Sequence, residues 1–224
     1  MEITPKVHLV PDIIANPYLI IDADGLTLID AGLPGSHKRI LSYIAGLGLI
    51  PKDLKRIILT HSDIDHIGAL AALCKASGAR TYASAIEAKA IAQGRPSRRI
   101  QPTQFGRRLM MSVLGTLFKA KPVQVDEILT EGQTLPVLGG LKVLETPGHT
   151  PGHISLWAPS AGVLFVGDSI VSREQGLVVS VPANTWNQDK AAESARKQAE
   201  LKPNIVCSGH GPVVENAADK MPVA

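Results

Sequence analysis

Four side chains able to ligate a metal, His61, Asp63, Asp65 and His66, fall within six residues of the stretch Thr60-His61-Ser62-Asp63-Ile64-Asp65-His66-Ile67-Gly68. Imidazole and carboxylate at this density suit zinc or another first-row divalent ion. The stretch follows Ile57-Ile58-Leu59, a short β-branched run that reads as a buried strand. It precedes Ile67, Leu70, Leu73 and Cys74 at helical spacing. The ligands therefore belong to a strand-to-helix turn, and a pair on each side of a short bend could serve two ions.

Three more strand-like runs close in the same chemistry. Leu141–Glu145 leads into Thr146-Pro147-Gly148-His149-Thr150-Pro151-Gly152-His153, Val163–Val166 into Gly167-Asp168, and Asn204–Cys207 into Ser208-Gly209-His210-Gly211. Taken singly, Asp65 reads as a helix cap, Asp168 as a turn residue and His149 or His210 as a loop histidine. Taken together, His61, Asp63, Asp65, His66, His149, Asp168 and His210 all follow buried-type strands and suffice to surround two ions. Asp168 is the natural bridge, because one carboxylate has two oxygens and its charge offsets the repulsion between cations. His153 reads as a supporting or structural histidine, Cys207 as a small buried residue, His8 and His37 as ordinary strand or surface histidines, and Asp30 as a turn carboxylate.

The elements that must position these groups are short. Tyr18–Ile21 and Leu26–Ile29 flank an Asp24-Gly25 turn and predict a hairpin. Ser36 is placed to cap a helix with Ile40, Leu41, Ile44 and Leu47 facing inward, and Gly78 to end the helix after His66. Ser84 and Glu87 have the spacing of a capping box. From Gly94 to Val125 there are seven Lys/Arg residues and no acidic one, interleaved with apolar residues such as Phe105, Leu109, Leu114 and Phe118. This basic amphipathic insertion, at about 94–125, is read first as a helix with its apolar stripe packed and its charges in water. A lid, a homodimer contact or a membrane-surface patch are the alternatives. A polar helix follows from about Asn187 to Leu201.

The 224 residues suit one α/β domain built of two similar β-then-α halves, and a formal charge of +3 is too small to argue for nucleic acid. The start lacks a basic and apolar leader pattern, no apolar run spans a bilayer, and Cys74 and Cys207 are too few for a disulfide framework. These features predict a cytoplasmic protein acting on a small molecule, without nucleic-acid partner or integral membrane segment.

The order His61-x-Asp63-x-Asp65-His66, then His149 in Thr-Pro-Gly-His, Asp168 in Val-Gly-Asp and His210 in Gly-His-Gly resembles the metallo-β-lactamase superfamily. The resemblance implies a four-layer αβ/βα sandwich, two mixed sheets with helices on the outer faces and a dinuclear site at one edge. It assigns His61, residue 63 and His149 to a first metal, Asp65, His66 and His210 to a second, and Asp168 to both. The family's usual pattern has histidine at 63. A carboxylate there is harder and anionic, raising tolerance for manganese or iron beside zinc, and a solvated Asp63 with one metal in the second position is the alternative. The implied activity is hydrolysis of a small ester, lactone, thioester or related substrate by a hydroxide shared between two divalent ions, with Asp65 collecting its proton. A mononuclear iron enzyme resembling sulfur dioxygenases and a metal-stabilised, non-catalytic binding protein are the competing expectations.

Overall fold

A computed structural model of the chain describes residues 1–98 and 120–222. Most of the predicted basic insertion, residues 99–119, lies outside the described residues. Strands β1 (Glu2–Thr4), β2 (Val7–Leu9), β3 (Tyr18–Asp22), β4 (Gly25–Ile29), β5 (Leu54–Ile58), β6 (Arg80–Ser84) and β7 (Glu127–Leu129) form one sheet in chain order. It is antiparallel up to β4 and parallel from β4 to β7. The second sheet is built from β8 (Thr134–Leu135), β9 (Leu141–Glu145), β10 (Ile154–Ala158), β11 (Val163–Gly167), β14 (Ile205–Ser208) and β15 (Val214–Glu215), in the order β15-β14-β11-β10-β9-β8. A separate ribbon pairs β12 (Ile170–Arg173) with β13 (Gly176–Val179). The described helices are α1 (His37–Gly46), α2 (Ile64–Ile67), α3 (Leu70–Ser77), α4 (Ala85–Ile91) and α5 (Gln188–Ala199).

Successive apolar residues on a strand point to opposite faces, and the central strands use both. Leu19, Leu28 and Ile57 join Ile40, Ile44, Leu70, Leu73 and Ile91 of the helices outside the first sheet. Their neighbours Ile20, Ile29 and Ile58 face Val143, Leu156, Phe165 and Cys207 of the second sheet. On its far side the second sheet places Leu144, Leu164, Val166 and Val206 against Ala195 of α5. Strands buried on both faces read as unbroken apolar runs, which is why Ile57-Ile58-Leu59 and Val163–Val166 show no polar alternation. The fold is therefore α/β with two mixed sheets face to face and helices outside, as the family resemblance implied.

Strand direction brings the polar turns together. β4 and β5 are parallel, so Asp30 and Thr60-His61 leave the first sheet at one edge. Two antiparallel steps from β9 through β10 to β11, then a parallel step to β14, align the ends that carry His149, Asp168 and His210. The edges are tied by Ile154 N donating to Thr60 O at 3.0 Å and Tyr18 Oη donating to Ser208 O at 2.7 Å.

Two local expectations need correction. The hairpin forms, but Asp22 pairs with Gly25, so its two loop residues are Ala23 and Asp24. Gly25 instead opens β4 at φ +127°, where a Cβ would stand 2.7 Å from Asp53 O. Ser36 precedes α1 but makes no capping hydrogen bond, because its own backbone is already helical.

Burial keeps both thiols protonated: it raises the Cys74 pKa to about 11 and that of fully buried Cys207 higher still. A disulfide-exchange reagent at pH 8 should label native protein slowly, because a pKa near 11 leaves roughly a thousandth of Cys74 as thiolate. Both should react rapidly once denaturant is added; fast native labelling of Cys207 would contradict the packing between the sheets.

Candidate metal centre

The turn after β5 is held by Asp30, which sits at φ +60° at the end of β4. Its Oδ1 accepts from Thr60 N at 2.9 Å, and its Oδ2 accepts from Thr60 Oγ1 and from His66 Nδ1, each at 2.8 Å. Thr60 spends its hydroxyl proton on Asp30, so it can only accept from His61 Nδ1, 3.0 Å away. This fixes the tautomer of His61 and leaves its Nε2 lone pair facing outward from the turn. His66 Nδ1 is committed in the same way. Across the gap, His149 Nδ1 lies 3.0 Å from Ser180 Oγ. His153 Nε2 accepts from Asp168 N at 3.1 Å, and its Nδ1 lies 2.9 Å from Thr146 Oγ1, which also contacts Ser155. It is a buried supporting histidine, as predicted; burial first, then His149, pulls its pKa down to about 3.

All seven residues singled out in the sequence converge. His149 Nε2 lies 3.2 Å from Asp63 Oδ2, and His61 Nε2 lies 3.8 Å from the same oxygen. His210 Nε2 lies 3.2 Å from Asp65 Oδ2. Asp168 stands between, with Oδ1 3.4 Å from His66 Nε2 and Oδ2 3.6 Å from His149 and 3.4 Å from His210. Donors bound at about 2.0–2.2 Å to one tetrahedral ion are roughly 3.3–3.6 Å apart, so this spacing suits shared ions. Three groups could each hold one: His61, Asp63 and His149; Asp65, His66 and His210; and His61, His66 and Asp168. Buried atoms without any hydrogen-bond partner among the described residues include His61 Nε2, Asp63 Oδ1, His66 Nε2 and Asp168 Oδ1. Leaving such atoms unmade is costly, and a cation among them removes the cost.

The electrostatics point the same way. Burial disfavours charge on His66, yet Asp168 and Asp30 raise its pKa well above the ordinary value. Hydrogen bonds to Asp168 and Asp65 raise His210 to about 10. Burial opposes ionisation of Asp168, but His66 and His210 hold its pKa well below normal. His61, by contrast, is depressed by burial and by His66 and His149. Carboxylates so placed draw positive charge to the site, and a divalent ion competes with protons for the same nitrogens.

Sequence reasoning missed three supporting residues. Asp30, expected as a turn carboxylate, orients both histidines of the first turn. Glu87 makes the expected capping bond, its backbone N donating to Ser84 Oγ, but its carboxylate does not return to the cap. It is fully buried, accepting from Ser62 N (2.9 Å), Ser62 Oγ (2.5 Å), Ser97 Oγ (2.8 Å), Thr150 Oγ1 (2.7 Å) and Gly152 N (3.1 Å). One carboxylate thus joins the His61 and His149 loops. Arg98, expected in water, buries its guanidinium against Asp63, with Nη2 3.3 Å from His149 Nε2. Nothing local marks Glu87 or Arg98; the only signal for Asp30 was its place at a strand end. The His210 turn is gripped by Asn16, whose N donates to Gly209 O at 2.7 Å and whose Nδ2 donates to Gly211 O at 2.7 Å. Gly209 is required there, since a Cβ would meet Asp168 Oδ1 at 2.3 Å.

Two mixed sheets with helices outside and a His/Asp constellation at their shared edge define a metallo-hydrolase. Residues 10–210 match the metallo-beta-lactamase superfamily, and the chain belongs to it. Together, the family and the His/Asp groups imply divalent-metal binding. The chain is 33% identical to the uncharacterized protein YobT of Bacillus subtilis (92% of this chain, 87% of the relative). It is 31% identical to the probable metallo-hydrolase YflN of the same organism (94% and 85%). A hydroxyacylglutathione hydrolase from Fuscovulum blasticum is 30% identical over 76% of this chain and 52% of its own length. Among solved structures, the metallo-beta-lactamase family protein TTHA1429 from Thermus thermophilus superposes with a TM-score of 0.76 at 25% identity, covering 98% of this chain and 78% of that one. TTHA1623 in a di-iron-bound form gives 0.70 at 26% identity, covering 97% and 99%.

Asp30→Asn tests the support beneath the site, since asparagine tolerates the left-handed backbone but turns an amide N–H towards two donors. Metal affinity measured by competition with a chromophoric chelator should fall roughly 10- to 100-fold. Unchanged affinity in the folded variant would remove Asp30 from the metal's support.

Proposed function

We propose that the chain hydrolyses a small thioester, ester or lactone with the help of two divalent ions, zinc foremost, manganese and iron being the alternatives that a carboxylate at 63 favours. His61, Asp63 and His149 would hold one ion, Asp65, His66 and His210 the other, and Asp168 would serve both. The observation that carries this is the donor spacing about Asp168: its Oδ2 is 3.6 Å from a histidine of one group and 3.4 Å from a histidine of the other. The di-iron form of TTHA1623 and the thioester chemistry of the hydroxyacylglutathione hydrolase support the same reading.

Ions bound in this way lower the pKa of water towards neutrality and polarise a substrate oxygen. The chain supplies the rest. Asp65 is partly exposed and has one oxygen against His210, so its carboxylate can take the proton of the attacking water and return it to the leaving group. Trp186, half exposed, follows the loop bonded to His149 through Trp186 N and His149 O (3.1 Å), and exposed Ile14 lies on the Asn16 loop that grips His210. Apolar groups carried on these two loops suit the uncharged body of an acyl substrate. The chain acts as one domain.

Protein purified from metal-replete culture should contain close to two equivalents of transition metal by elemental analysis, and a reproducible value near zero would end the proposal. A panel of glutathione thioesters, aryl esters and lactones should reveal turnover that chelation abolishes and His61→Ala loses with folding retained. Trp186→Ala should raise KM for acyl substrates roughly 3- to 10-fold with little change in kcat; equal kinetics across the panel would place Trp186 outside the substrate wall.

A further inference from the structure

Arg98 does not behave as a solvated member of a basic segment. Its side chain is 7% exposed, and a single nitrogen, Nη2, touches Asp63 Oδ2 while lying 3.3 Å from His149 Nε2. Those two acceptors are themselves 3.2 Å apart. One nitrogen of a fixed cation thus stands against two of the three donors that form the His61, Asp63 and His149 group. The other group is different: among the described residues, the ion-pair partner of Asp65 is His210, and those of Asp168 are His66, His149 and His210.

The aim of Arg98 is set by the fold. Its neighbour Ser97 is anchored twice, with N donating to Ser62 Oγ at 2.8 Å and Oγ donating to Glu87 at 2.8 Å. The segment is therefore held without help from the guanidinium, and the pairing with Asp63 is an additional feature. Arginine keeps its charge at every relevant pH and cannot lose a proton to make way for a metal. A divalent ion entering beside Asp63 must break a buried, charge-assisted pair and then sit close to a like charge.

We propose that Arg98 is a tethered cation that competes for the first metal position, holding its affinity below that of the Asp65, His66 and His210 position, so that the two load in order. The carboxylate at 63 is the other half of this device, since a histidine there would offer the guanidinium no anionic partner. The inference rests on the two-ion reading above.

Metal-stripped protein titrated with zinc in a calorimeter, and with cobalt followed by its absorption bands, tests the order. Wild type should take up one equivalent tightly and a second at least roughly 10-fold more weakly. Arg98→Met should strengthen the second step by about the same factor and leave the first unchanged, while Arg98→Lys, which keeps the charge without the planar fork, should lie between. In wild type, the NMR signal of the Arg98 guanidinium should shift with the second equivalent of zinc; this needs no variant to fold. Two equivalents bound with identical constants in wild type and Arg98→Met, or an Arg98 signal that moves with the first equivalent, would overturn the proposal while sparing the two-ion reading. Failure of both Arg98→Met and Asp63→His to bind a second equivalent would bring down the two-ion reading and this inference with it.

Discussion

Negative charge buried at one edge of a protein has to be answered, and that requirement organises this structure. Asp168 is 7% exposed, lies among four histidines, and is joined in the same gap by Asp63 and Asp65. Carboxylates leave water only when paired and hydrogen-bonded. Here the partners are histidines pulled towards the imidazolium form at His66 and His210, an arginine at Asp63, and in the proposed enzyme two divalent ions. The same concentration of charge that would destabilise an empty pocket makes it selective for cations.

The surrounding fold reads as a device for bringing that charge together from distant parts of the chain. Parallel neighbours β4 and β5 in one sheet, and β9, β11 and β14 running alike in the other, direct five turns to a common edge. Apolar faces hold the sheets together, but hydrogen bonds set the final placement. Asp30 couples the ends of β4 and β5, Glu87 couples the His61 loop to the His149 loop, and Asn16 couples the first sheet to the His210 turn. Each joins segments far apart in sequence, so alignment of the site depends on complete folding of both halves.

Arg98 adds a second level to this electrostatic design. In the two-ion site proposed above, three carboxylates would hold the ions strongly without further help, since unlike charges attract most where water is scarce. In that proposal, a permanent cation on one carboxylate makes the two positions unequal. Inequality of this kind lets a protein keep one ion while the other comes and goes with supply.

The sequence by itself determined the seven polar residues of the site, the strands that precede them and the mixed α/β character, because strand burial and ligand chemistry both leave short, local patterns. Ile57-Ile58-Leu59 before His61 and Val163–Val166 before Asp168 are legible as buried strands from residue type alone. Helix α5 was placed to within two residues, and Asn187 caps it as its side chain permits, accepting from Lys190 N at 2.9 Å. Only the tertiary structure decided the roles of Asp30, Glu87 and Arg98. A carboxylate four residues into a capping pattern, or an arginine in a basic run, has the same local appearance whether it faces water or a buried partner. The difference lies in contacts 10 to 65 residues away for Glu87 and 35 to 51 for Arg98, and no periodicity carries information over that distance.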